Sequence, residues 1–183
     1  KNLCHEGNYT ELEKYINEYY AALPQTETKK YCRNRPLNAL LNDYATKAAD
    51  AKIRISFRIE LPETIDITDV DLCAITGNIL ENAVTACLML KEEDRYIQLT
   101  VLTRNENRLY IVSTNPHNGQ IRQQNEKYLS THRQGEGIGL KSVMETAEKY
   151  GGKATFSHND SDFFSNVMLP LGQFVTPLPS CLK

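Results

Sequence analysis

Asp71, Asn78, Glu81, Asn82 and Thr85 recur at spacings of three, four and seven, which bring side chains together on one face of a helix. Only Met89 interrupts that polar stripe. The other faces carry Leu72, Ile75, Ile79, Leu80, Ala83, Val84, Ala86, Cys87 and Leu90, so the helix is expected to be largely buried. Buried amides and carboxylates are costly unless paired. One partner that suits such a row is a hydrated magnesium ion carrying phosphates, because hard cations prefer oxygen ligands and Mg²⁺ keeps much of its water. The other reading is the solvent face of an ordinary amphipathic helix.

A second constellation lies downstream. Gly135-Glu136-Gly137-Ile138-Gly139-Leu140 precedes a helical pattern. Alternating glycines let a backbone approach a ligand closely and expose its N–H groups. The helix N-terminus that follows favours an anion such as phosphate. Arg133 and Lys141 flank the segment with positive charge, and Ser130 and Thr131 offer hydroxyls. The Gly-Lys-Ser/Thr of a Walker loop is absent, and the glycine spacing does not fit a dinucleotide fingerprint. Taken alone, the cluster is more often a plain flexible turn than a phosphate cradle.

The elements that must position these residues follow from periodicity. Residues 9–23 carry Leu12, Tyr15, Ile16, Tyr19 and Leu23 at helical spacing. A second amphipathic helix follows, with Asn34 as N-cap, Pro36 in its first turn, and a stripe of Leu37, Leu40, Leu41, Tyr44, Ala48 and Ala51. The pair reads as a helical hairpin whose stripe seeks a surface, and a partner chain is one source of it. At Ile53 the pattern changes to alternation: Ile53, Ile55, Phe57 and Ile59 alternate with polar residues, as in a half-buried strand. The stripe-bearing helix runs from Thr68, a candidate cap with Asp71, to about Lys91. Strands are expected at 96–104 and 108–114, a long loop at 115–135, a helix from Gly137 to Tyr150 stopped by Gly151-Gly152, and strands at 153–158 and 163–169. The order suggests an α/β two-layer sandwich with a mixed, mostly antiparallel sheet and helices on one face. The expected divisions are a helical hairpin over 1–52, an α/β domain over 53–171 and a loose tail over 172–183.

Composition bounds the rest. The 183 residues are 40% hydrophobic and 24% charged, with a net charge of -2. That is ordinary globular composition with no basic excess for nucleic acid or a membrane surface. Apolar runs fall well short of the ~18 residues a membrane span needs. Five cysteines without a Cys-x-x-Cys pair suggest free thiols in a reducing compartment and argue against a zinc site. The chain opens on Lys1 inside helical or loop sequence, as a fragment would.

Taken together and in this order, Asn78-Ile79-Leu80-Glu81-Asn82-Ala83 resembles the N box of the GHKL (Bergerat-fold) ATPases, and Gly135–Leu140 resembles their second glycine box. Within that superfamily the chain is most similar to histidine kinases of the peptide-pheromone quorum-sensing receptor type. There Tyr31-Cys32-Arg33-Asn34-Arg35-Pro36-Leu37-Asn38-Ala39-Leu40-Leu41 resembles the second dimerisation helix, and Gly7-Asn8-Tyr9-Thr10-Glu11-Leu12 the tail of the first. The resemblance implies ATP and Mg²⁺ as ligands, with Asn82 on the metal, Gly135, Gly137 and Gly139 along the triphosphate, and Thr131, Arg133, Leu140 and Lys141 nearby. Asn78 stands where hydrolysing members carry a general-base Glu, which argues for phosphotransfer over water activation. Glu81, beside Asn82, is a possible catalytic participant. The family's Asp-x-Gly-x-Gly is replaced by Ser113-Thr114-Asn115-Pro116-His117-Asn118-Gly119. Asn115 best matches the adenine-binding Asp and accepts a hydrogen bond without charge assistance.

The implied function is phosphoryl transfer from ATP to a histidine, in a two-component system with a response regulator as partner. A homodimer through the N-terminal helices and a cytoplasmic setting beneath a bacterial membrane sensor are further implications, with no direct membrane contact by this segment. A non-catalytic nucleotide-binding module is the alternative, supported by the lost glycine box. The histidines are His5, His117, His132 and His158; none suits the acceptor position, which is expected upstream of Lys1.

Overall fold

The computed structural model describes residues 29–62, 64–104, 107–119, 123–124, 127–128 and 138–172. The first helix, α1, spans Arg35–Asp50. Asn34 caps it by accepting from Leu37 N, and Pro36 occupies the first turn, where its missing N–H costs nothing. Leu37, Leu41, Tyr44 and Ala48 are all buried in the domain's main core. Fully burying a leucine contributes roughly 1.5–3 kcal/mol. The stripe expected to seek a partner chain is therefore covered within the chain itself, by the helix and strand that follow it. Helix α1 shares one hydrophobic core with the sheet and the helices that follow. The expected helix over 9–23 lies outside the described residues.

Strand β1 (Arg54–Glu60) pairs in parallel with β2 (Tyr96–Arg104). Parallel neighbours need a crossover, and α2 (Asp69–Leu88) supplies it. Thr68 caps α2, its hydroxyl accepting from Asp71 N at 3.2 Å, and Asp69 and Asp71 suit the positive end of the helix dipole. From β2 the chain returns in an antiparallel hairpin as β3 (Arg108–Pro116). A two-residue ladder, β4 (Gln123–Gln124) with β5 (Lys127–Tyr128), stands apart within the segment expected to be loop. Helix α3 (Ile138–Lys149) leads through Gly151-Gly152 into β6 (Lys153–His158) and β7 (Asp162–Pro170). Gly151 takes a positive φ of 67°, and a Cβ at Gly152 would overlap the Met168 carbonyl oxygen, so both glycines are required.

The sheet order is β1-β2-β3-β7-β6. Its inner face presents Ile97, Leu99 and Val101 from β2, Leu109 and Ile111 from β3, and Val167 and Leu169 from β7, all buried beneath the helical layer. The outer face is more polar, with Arg54, Ser56, Arg58 and Gln98 exposed. This is the expected two-layer sandwich. Strand β3 runs further than its sequence suggests, because Asn115 and Pro116 continue the ladder opposite Phe163 and Asp162. A proline is tolerated there as the last residue of its strand. Among the described residues no helix is long and apolar enough to cross a membrane.

Candidate nucleotide-binding site

The polar stripe of α2 divides into two parts, because α3 packs against it in the opposite direction. Near the start of α2, Asp71 Oδ2 accepts from Thr68 Oγ1 at 2.7 Å, Lys149 Nζ at 2.7 Å and Tyr150 OH at 2.5 Å. Those three donors, Lys149 foremost, hold the carboxyl down at about 2. Asp71 is thus a tie between the start of α2 and the end of α3. Two turns on, Asn78 meets the other end of α3. Its Nδ2 donates to Ala74 O at 2.9 Å, and a Cβ on Gly139 would lie 3.3 Å from its Oδ1.

Asn82 lies one turn beyond, about 6 Å further along the α2 axis. It is half-buried, and no side-chain hydrogen bond holds it among the described residues. Thr85 is also half-buried. Past them, Met89 Sδ receives the Asn118 amide at 3.7 Å, so the stripe ends at the corner after β3. The unsatisfied part of the stripe therefore runs from the start of α3 to that corner.

Asn115 closes this end. It is 1% exposed and its Nδ2 donates to Pro116 O at 3.0 Å, which leaves Oδ1 as the accepting side of the amide. The corner itself is tied to the β6–β7 turn. His117 N donates to Ser161 O, His117 Nε2 lies 3.0 Å from Asn159 O, and Gly119 N donates to His117 Nδ1 at 3.0 Å. The His117 and His158 rings meet edge to face with centroids 5.9 Å apart.

The other predicted residues fall as follows. Leu140 is buried and anchors α3 in the core. Lys141 is exposed and pairs with Glu145 at 3.8 Å. Glu81 accepts from Tyr44 OH at 3.0 Å, so its carboxylate is engaged by α1 at the edge of the stripe. Thr131, Arg133, Gly135 and Gly137, with His5 and His132, lie outside the described residues. Sequence reasoning did not single out Ser113 and Ser165. These cross-strand neighbours are buried on the inner face, and Ser113 Oγ has no hydrogen-bond partner among the described residues. Their signal was a serine at alternating positions otherwise filled by aliphatic residues.

Among the described residues no group of three or more His, Cys, Asp or Glu side chains is placed to hold a metal ion. On the stripe, Asn82 offers an amide oxygen, a hard donor that no side-chain hydrogen bond engages among the described residues. That fits Mg²⁺, which is commonly held by one or two protein ligands together with substrate phosphates and water.

Comparisons with known proteins bear on the family and the fold. A search of curated proteins returned no match. Among solved structures, a nucleotide-free catalytic domain of histidine kinase ThkA superposes with a TM-score of 0.58 at 14% identity, covering 75% of this chain and 92% of that one. A second nucleotide-free form of the same domain gives 0.59 at 16% identity, covering 75% and 91%. The mycobacterial sensor histidine kinase MprB gives 0.55 at 13% identity, covering 74% and 94%. At such identities the likeness establishes the fold, the mixed five-stranded Bergerat sheet with its helices. The sequence itself matches the family model described as the GHKL domain over residues 67–170, more than half of its length, and the chain therefore belongs to the GHKL family of ATP-binding domains.

Proposed function

We propose that the chain is the catalytic ATP-binding part of a two-component sensor histidine kinase, holding Mg-ATP along the open part of the α2 stripe. The observation that carries this reading is the division of that stripe. Asp71 is satisfied by α3, whereas Asn82, one turn beyond the place where Asn78 meets Gly139, presents an amide with no side-chain hydrogen bond among the described residues. In this reading Asn115 Oδ1 accepts from the adenine amine. Gly135, Gly137 and Gly139 offer backbone N–H groups to the phosphates, with Thr131, Arg133 and Lys141 close by. Bound Mg²⁺ would neutralise phosphate charge as the γ-phosphoryl is transferred, and Asn82 Oδ1 would hold it. An imidazole nitrogen of the acceptor attacks phosphorus while the bond to the β-phosphate oxygen breaks, releasing ADP. Asn78 carries an amide where a carboxylate would be needed to take a proton from water, so the site favours transfer over hydrolysis. His117 is not the acceptor in this reading, since both its ring nitrogens are engaged at the corner. A response regulator receives the phosphoryl group in turn. Dimerisation through the segment before α1 and a cytoplasmic setting belong to the same proposal.

The test is nucleotide affinity with and without Mg²⁺, for the wild-type chain and for Asn82→Ala. Mg²⁺-dependent binding that Asn82→Ala abolishes is the expected result. Absence of binding by the wild-type chain would sink the reading.

One observation favours a second reading, a nucleotide-binding module without catalysis. Asn115 is an uncharged acceptor whose Nδ2 is already bound to Pro116 O. In a longer chain that includes the acceptor helix, ATP binding without phosphohistidine would select this alternative.

A further inference from the structure

The corner after β3 is held by a single imidazole in a single protonation state. A backbone N–H can only donate, so the 3.0 Å bond from Gly119 N requires His117 Nδ1 to be bare. A carbonyl can only accept, so the 3.0 Å contact with Asn159 O requires Nε2 to carry the hydrogen. The neutral ring in this tautomer satisfies both partners. A second proton on Nδ1 would set N–H against N–H and release Gly119.

The far side of the clamp is firmly built. Asn159 Oδ1 accepts from Ser161 N at 2.8 Å and from Asp162 N at 2.6 Å, which fixes the β6–β7 turn. Tyr96 OH donates to Asp162 Oδ1, fastening that turn to β2. The near side carries Asn115, two residues before His117 and buried at the end of β3. With Asn115 matched to the Asp of the family's Asp-x-Gly-x-Gly, His117 stands at the first glycine position and Gly119 keeps the second, and the imidazole ties the two into a fixed corner.

The geometry points to His117 as a positioning residue for nucleotide binding: its neutral ring clamps the end of β3, and with it Asn115, to the β6–β7 turn, and its protonation loosens that clamp. The inference rests on the ATP reading above. The titratable groups around the ring are His158 on β6, Asp160 and Asp162 in and after the turn, and Tyr96 on β2 through Asp162. From α2 the contact with this corner is Met89, through Asn118.

The test uses the full 183-residue chain with a fluorescent ATP analogue and Mg²⁺. Affinity is measured at about pH 8 and about pH 5.5, the interval over which histidine changes charge. The variants are His117→Asn and His117→Ala. Asparagine keeps an acceptor for the N–H two residues on and does not titrate. Acidification is expected to weaken wild-type binding about fivefold more than it weakens His117→Asn binding, the scale of one hydrogen bond. His117→Ala is expected to bind weakly at both pH values. Titration of the nucleotide phosphates is common to all three and cancels in the comparison. Parallel pH profiles for wild type and His117→Asn would overturn the proposal, as would wild-type affinity in His117→Ala. Ring ¹⁵N shifts of His117 and hydrogen exchange at Gly119 N report the clamp without nucleotide. A hydrogen on Nδ1 at pH 8 would refute it. Lack of nucleotide binding by the wild type at pH 8 would instead refute the ATP reading and remove the adenine role, leaving the ring nitrogens to decide the clamp.

Discussion

Asn78 and Gly139 are in contact: a Cβ at Gly139 would come within 3.3 Å of Asn78 Oδ1. The asparagine helix and the start of α3 thus pack closely at this point, as the proposed site requires. Asn78 cannot turn away freely, because its Nδ2 is tied to Ala74 O at 2.9 Å. Gly139 has no positive φ and lies within α3, where alanine is favoured over glycine by roughly 0.5–1 kcal/mol. The helix preference for alanine and the tight approach to Asn78 Oδ1 oppose each other, so Gly139→Ala is expected to change the melting temperature little while nucleotide affinity falls about tenfold, or ~1.4 kcal/mol. Combined with Asn78→Ala, which removes the clashing oxygen, its effect should be less than additive. Unchanged affinity in Gly139→Ala would show that the Asn78 oxygen plays no part in the site.

The Asp71 tie gives a pH signature of its own. Hydrogen bonds from Lys149, Tyr150 and Thr68 hold its carboxyl at about 2 in the folded chain, below the ordinary value of about 3.9. A folded value below the unfolded one means that the stabilisation is fully present above about pH 4. It is lost as the pH falls towards about 2. Thermal melts should show Asp71→Asn below wild type at pH 7, with the gap closing through this window. A gap that stays constant or widens on acidification would contradict the assignment of Asp71 to the α2–α3 tie.

The same residue shows where the sequence stops being informative. Spacing placed Asp71 with Asn78 and Asn82 on one face, and they do share it. Lys149 and Tyr150, which separate Asp71 from the other two, are 78 and 79 residues away in the chain. Helical periodicity carries no trace of that docking. Local signals were readable. The Thr68 cap, the alternation of Ile55, Phe57 and Ile59, and the Gly151-Gly152 stop all mark elements found in the structure. The stripe of α1 was legible as a surface needing cover, but periodicity cannot say which chain covers it. Asn115 and Pro116 read as loop because neither favours strands, yet pairing with Phe163 and Asp162 extends β3 through both. The bond from Gly119 to His117 is local, but the other partners of His117, Asn159 and Ser161, come from a distant hairpin that the local sequence does not reveal.

Tyr44 and Glu81 allow the catalytic role suggested for the carboxylate to be tested. Tyr44 is 6% exposed, and its hydroxyl donates to Glu81 Oε2 at 3.0 Å and to Gly77 O at 3.2 Å. Burial first, then the Glu81 carboxylate, push the phenol up, so it remains a donor at neutral pH. The contact fastens α1 to α2 immediately beside Asn82. If this structural bond is the role of Glu81, Glu81→Gln keeps an acceptor and should retain nucleotide affinity and phosphotransfer rate. Tyr44→Phe and Glu81→Ala should each cost about 1 kcal/mol of stability. The double variant should cost less than their sum, because both remove the same bond. A hundredfold loss of phosphotransfer in a Glu81→Gln protein that melts and binds ATP as wild type does would instead make the carboxylate part of the chemistry. Tyr44 would then hold a reacting group rather than a structural one.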